Sequence, residues 1–176
     1  MAEVEIHAGH HGVQADSFSH TVGILVGIIG VLLSVVTILS HREHTTAVVH
    51  KTEANDQWAY YQAKKIRQHT AEVGAGLLTA LTTDSRKTDD AVGKFSADAA
   101  RYSTQADQIQ HDAQQKDEQS HHAEARAARF DLGEGFLELG LVMTSLFFLA
   151  NRRFFVALGV VAAIAGSLIG VAGFFT

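Results

Sequence analysis

The chain has no cysteine and no proline among its 176 residues, and only one tryptophan. Without cysteine there is no disulfide framework, no thiolate nucleophile and no cysteine metal site. Cations are also sparse: fourteen Lys and Arg stand against nineteen Asp and Glu, and none gather into a cluster. Phosphate backbones are bound by clustered cations, so nucleic acid is excluded as the main partner. No Ser/His/Asp order in recognisable context, no phosphate-binding glycine loop and no cofactor fingerprint is present, so no enzymatic role and no cofactor are expected. The first twenty residues hold no Lys or Arg. A secretory n-region is positive and its apolar core shorter than the run that follows here, so a cleaved signal peptide is not expected.

What the sequence has instead is long apolar runs. Residues 21–40, TVGILVGIIGVLLSVVTILS, contain no charge, and neither does FFVALGVVAAIAGSLIGVAGFFT at 154–176. Each is long enough to cross a bilayer as a helix. A third stretch, 131–150, DLGEGFLELGLVMTSLFFLA, has the same length but carries three acidic residues in its first half. It reads as a second span, joined to the last by a tight three-residue connection, Asn151-Arg152-Arg153. The expected fold is therefore all-α: an integral membrane protein with three transmembrane helices and a long antiparallel helical hairpin between the first two. Its parts are a histidine-rich N-terminal tail at 1–20, spans at 21–40, 131–150 and 154–176, and a hairpin domain at 41–130.

The hairpin follows from composition and period. Residues 41–130 are rich in Ala, Gln, Lys, Arg and Glu, which suit helices, and no proline interrupts them. Phe95, Ala99, Tyr102, Ala106, Ile109, Ala113, Lys116, Ser120, Ala123, Ala127 and Phe130 follow one another in steps of four and three. That spacing is a heptad seam, with small knobs and two polar positions, Lys116 and Ser120. In the first half, Ala59, Ala63, Ile66, Thr70, Val73, Leu77 and Ala80 repeat the spacing and form the expected facing seam. Turn chemistry at Thr82, Thr83, Asp84 and Ser85 separates two arms of roughly 60 Å each. Trp58 and Tyr61 lie three residues apart on one helical face, where they are expected to pack against the second arm or a neighbouring subunit. Trp58, Tyr61, Ile66, Phe95, Tyr102 and Ile109 are thus the candidate hairpin-packing residues.

Three further sets stand out. Gly23, Gly27 and Gly30 with Ser34 and Thr37 form a small-residue stripe on the first span. Gly159, Ala163, Gly166, Gly170 and Gly173 form another on the third. Small residues in register allow close helix approach in lipid, so these glycines are candidate helix contacts. Glu134 and Glu138 lie four apart on the second span, where a carboxylate faces protein or water; they are the candidate ion pathway. Of eleven histidines, His7, His10 and His11 are the candidate metal ligands, since neutral imidazole binds Zn, Cu or Ni. Gly9 and Gly12 argue against an ordered helix there, and the reading taken is a solvated, mobile tail.

The stretch NDQWAYYQAK after the first span, followed by RFDLGEGFLELGLVMTSLFFL and a basic turn before a glycine-rich span, resembles a family of small bacterial membrane proteins. That family is catalogued as a domain of unknown function. The resemblance covers nearly the whole chain and implies three spans with a helical insert; it carries no activity and no functional residue. The functional expectation is a non-enzymatic membrane scaffold or accessory subunit, forming a homo-oligomer or holding a larger membrane complex. The alternative is an oligomeric proton or cation channel. Two arginines in the short turn assign it to the cytoplasm and the hairpin to the outer side of the cell membrane.

Overall fold

The computed structural model describes residues 17–81 and 85–175. Among them every regular element is helical: α1 (Ser17–Leu81), α2 (Ser85–Ser145), α3 (Phe147–Ala150), α4 (Arg153–Ala172) and a closing 3₁₀ turn, Gly173–Phe175. The absence of proline lets α1 run 65 residues and α2 run 61 without interruption. Three helices carry a stretch long and apolar enough to cross a membrane: Ser17–Leu81, Thr88–Ala150 and Arg153–Phe175. The expected turn residues Thr82, Thr83 and Asp84 lie outside the described residues, as does most of the histidine-rich tail with His7, His10 and His11.

α2 and α3 are nearly one helix. The Leu146 N–H still bonds the Val142 carbonyl at 3.0 Å, and Ala150 N–H bonds Leu146 at 2.9 Å. The stop comes at Asn151, which takes the left-handed conformation with φ 49° and donates its N–H to the Phe147 carbonyl at 2.8 Å. Asparagine tolerates that region better than most side chains, which makes it a good C-terminal cap. The connection is one residue shorter than the sequence implies, because Arg153 already opens α4.

The chain divides into two compact units. The first takes in the chain up to Ile38 together with Phe130–Ala172. Its α2 and α4 segments pack almost backbone to backbone. A Cβ added at Gly140 would lie 2.8 Å from the Gly159 carbonyl oxygen, and one at Gly166 would lie 2.7 Å from that of Gly133. Any side chain at these positions would force the helices apart, so glycine is required by contact and not by backbone conformation. Thr144 closes the same row, fully buried, its hydroxyl donating to the Gly140 carbonyl at 2.7 Å. α1 contributes Val22, Ile29 and Val36, buried at intervals of seven.

The second unit comprises Leu39–Arg129 with Gly173–Thr176. Here the α1 and α2 arms meet in opposite chain directions. Arg126 reaches Glu43, Ser120 reaches Ala47, Lys116 reaches Glu53 and Lys64 reaches Gln105. The α2 side buries Ala99, Ala106, Ala113, Ser120, Ala123 and Ala127. The α1 side buries Ala47, Ala54 and Ala71, not the expected row. Ile66 is 67% exposed, Val73 46% and Leu77 55%, and Ala59, Ala63, Thr70 and Ala80 are exposed with them. The correction has a steric cause. An alanine seam on α2 brings the arms close, and close arms accept alanine opposite and turn larger aliphatics outward.

Candidate functional site

Polar side chains join the helices within each unit. In the first unit, Thr37 donates its hydroxyl to Glu134 Oε1 at 2.7 Å, joining α1 to α2 beside the glycine row. Glu134 is half-buried and Glu138, one turn on, is exposed. The two carboxylates therefore do not share an environment: one is spent on a helix contact, the other points away from its own chain. Arg126, which stands near them in sequence, pairs instead with Glu43, through Nε and through a terminal nitrogen, both at 2.9 Å.

In the second unit, Asp117 of α2 is held from two sides by α1. Lys51 Nζ donates to Oδ1 at 2.8 Å and Trp58 Nε1 donates to Oδ2 at 3.1 Å. The Lys51 hydrogen bond and then that from Trp58 hold the Asp117 carboxyl below its ordinary range, and Lys51 is raised in turn by Asp117. One residue along, Lys116 Nζ lies 2.7 Å from Glu53 Oε2, which His50 also approaches at 3.4 Å. Those two partners, Lys116 first, push the Glu53 carboxyl down. Ser120, fully buried, donates to the Ala47 carbonyl at 3.0 Å. The two polar positions of the α2 seam are thus both engaged by α1. Together with Asp117 they favour one register of the arms, because a slip would leave a buried hydroxyl and several charges without partners.

Trp58 is half-buried and stands edge-on to Tyr61, ring centroids 5.7 Å apart and planes at 90°. Lys64, one turn further, donates to Gln105 Oε1 at 2.9 Å. Its ammonium lies 5.1 Å from the Tyr60 ring and 5.6 Å from that of Tyr102. The aromatic cluster is therefore filled by the chain's own groups. Phe95 remains 38% exposed, its ring lying over Gly74, where an added Cβ would meet it at 3.1 Å. Ile109 is half-buried, whereas Ile66 faces away from the second arm.

The glycine stripes behave differently. Gly159, Gly166 and Gly170 are buried in helix contacts and Gly173 is buried. A Cβ at Gly23, Gly27 or Gly30 would meet nothing within 4 Å among the described residues, so none of the three lies in a close helix contact there. The partners of the α4 row are Gly133, Leu137, Gly140 and Thr144, residues that a search for carboxylates passes over although their four-three-four spacing is readable. Asp117 has no such signal, since it flanks the seam. Among the described residues no three His, Asp or Glu side chains converge as a metal site.

Residues 18–176 match the family described as Domain of unknown function (DUF4337), and the chain belongs to that family. No curated protein and no solved structure matches it.

Proposed function

We propose that the chain is a multi-pass protein of the cell membrane that acts as a non-enzymatic scaffold or accessory subunit, built as a homo-oligomer whose helical hairpin stands outside the cytoplasm. The observation that carries this reading is the exposed row on α1. Ala59, Ala63, Ile66, Thr70, Val73, Leu77 and Ala80 keep heptad spacing over three repeats, yet α1 pairs with α2 through a different face. A sustained apolar heptad in a polar, charged segment calls for a helix to cover it. A second copy fits. Parallel pairing sets Ile66 on Ile66 and Val73 on Val73, and it sets Arg67 against Gln62, so no like charges oppose across the seam. Gly23, Gly27 and Gly30 offer a close-approach surface on the same helix.

Membrane insertion draws support from the first unit's surface. Ile24, Ile28, Val31, Val35 and Ile38 of α1 and Val161, Ile164, Leu168 and Val171 of α4 are all exposed, and lipid would cover them. Native mass spectrometry over a dilution series tests the assembly. A defined oligomer is expected, and a single mass of one subunit throughout would refute it.

A second reading, an oligomeric proton or cation channel, draws on Glu138. It is exposed from its own chain on an apolar stretch, four residues after Glu134, and in an oligomer such a carboxylate faces either a neighbour or water.

A further inference from the structure

At the end of the first unit where α3 gives way to α4, two cations stand side by side. The left-handed turn at Asn151 leaves Arg152 and Arg153 exposed on successive positions. The Arg153 guanidinium lies over the Phe18 ring, 4.7 Å from its centroid. Among the described residues no ion pair involves Arg152 or Arg153.

The surroundings of this pair are apolar. Phe148 is 52% exposed, Leu149 88% and Phe154 69%. Beneath them Phe147 is buried, packed edge-on against Phe18 at 5.2 Å. Two forked cations bordered by exposed aromatic and aliphatic side chains match the chemistry of one kind of partner: a phosphate anion carried on acyl chains. We propose that Arg152 and Arg153, with this collar, form a docking surface for phospholipids whose headgroup bears net negative charge. A zwitterionic headgroup carries the same phosphate, but its own ammonium group competes with the arginines. The chain as a whole is negative, with a formal charge of −5, so any preference for anionic lipid must come from a local patch. The proposal rests on the membrane reading above.

The test uses the full chain reconstituted in nanodiscs of equal phosphatidylcholine and phosphatidylglycerol, with the lipids it retains counted by native mass spectrometry. The ratio of retained phosphatidylglycerol to phosphatidylcholine is expected to exceed the bulk ratio by about fivefold for each arginine. The double variant Arg152→Gln/Arg153→Gln should return to the bulk ratio, and Arg152→Lys/Arg153→Lys should keep most of the enrichment. Arg152→Gln alone, at an exposed position with no ion pair among the described residues, should show a partial loss and does not depend on the double variant folding. A wild type at the bulk ratio overturns the proposal, as does enrichment that survives the glutamine pair. Binding of inorganic phosphate in phosphatidylcholine discs, without phosphatidylglycerol enrichment, would overturn it in favour of a free anion. A chain that fails to enter the discs removes the membrane reading and this proposal together; entry without enrichment removes this proposal alone.

Discussion

The indole N–H of Trp58 donates to the Asp117 carboxylate at 3.1 Å, across the interface between α1 and α2. This bond explains why a lone tryptophan stands in an otherwise polar stretch: its ring packs on Tyr61 while its polar edge selects a residue of the other arm. Fluorescence reads the arrangement directly. Emission to the blue of free indole and incomplete acrylamide quenching are expected, and Trp58→Ala should destabilise the second unit by about 2 kcal/mol, less than for a fully buried ring. Fully quenched, water-like emission would argue against it.

Acid should loosen the same interface. The Asp117 and Glu53 carboxyls are held below their ordinary values of 3.8 and 4.5 by Lys51, Trp58, Lys116 and His50. A carboxyl lowered in the folded state contributes stability that is full above its unfolded value and is lost as the pH falls through its folded value. Thermal midpoints should therefore hold from neutrality to about pH 5 and drop below 4.5. In Asp117→Asn the drop should be shallower, and an unchanged slope would count against this origin.

The two glycine rows should separate in mutagenesis. Gly140→Leu or Gly166→Leu places a side chain against a facing backbone and should cost about 3 kcal/mol, visible as loss of the folded chain. A Cβ at Gly27 meets nothing within 4 Å among the described residues, so for Gly27→Leu helicity and melting of the monomer should be kept while the oligomer fraction falls. Equal damage from both kinds of variant would show that the α1 row is not an outer surface.

Ile66 tests the outward heptad. At 67% exposure it contributes little to its own chain, so Ile66→Asp should leave the α1–α2 pairing intact. In the oligomer reading the variant dissociates, because it buries two unpaired carboxylates at one layer. Light scattering at matched concentration distinguishes the outcomes, and an unaltered mass would remove this face as the contact.

Glu138 tests the channel reading. Proteoliposomes of a pore should pass protons or cations, and Glu138→Gln should reduce the flux strongly by removing the field that attracts them. Glu134→Gln has a second expected effect, weaker anchoring of α1 through Thr37, seen as lower stability with or without any flux. No wild-type flux at several pH values, with the oligomer verified, would leave only the scaffold.

The helices, the apolar stretches and the α2 seam were legible in the sequence because each is a local property. Composition and the absence of proline favour helix, and a run of uncharged residues or a repeat of seven needs no knowledge of a partner. Membership of a family described as a domain of unknown function was legible as well. What the tertiary structure decided is which of two faces a helix turns inward. On α1 the aliphatic row through Ile66, Val73 and Leu77 looks like the better seam by hydrophobicity, yet Ala47, Ala54 and Ala71 are buried, because the alanines of α2 set a short distance between the arms. Likewise Gly133 and Gly140 acquire their role only where Gly166 and Gly159 face them, and Glu134 parts from Glu138 only where Thr37 is within reach. Periodicity along one helix specifies a face; only the distance of approach between two helices specifies the residue sizes that face can hold.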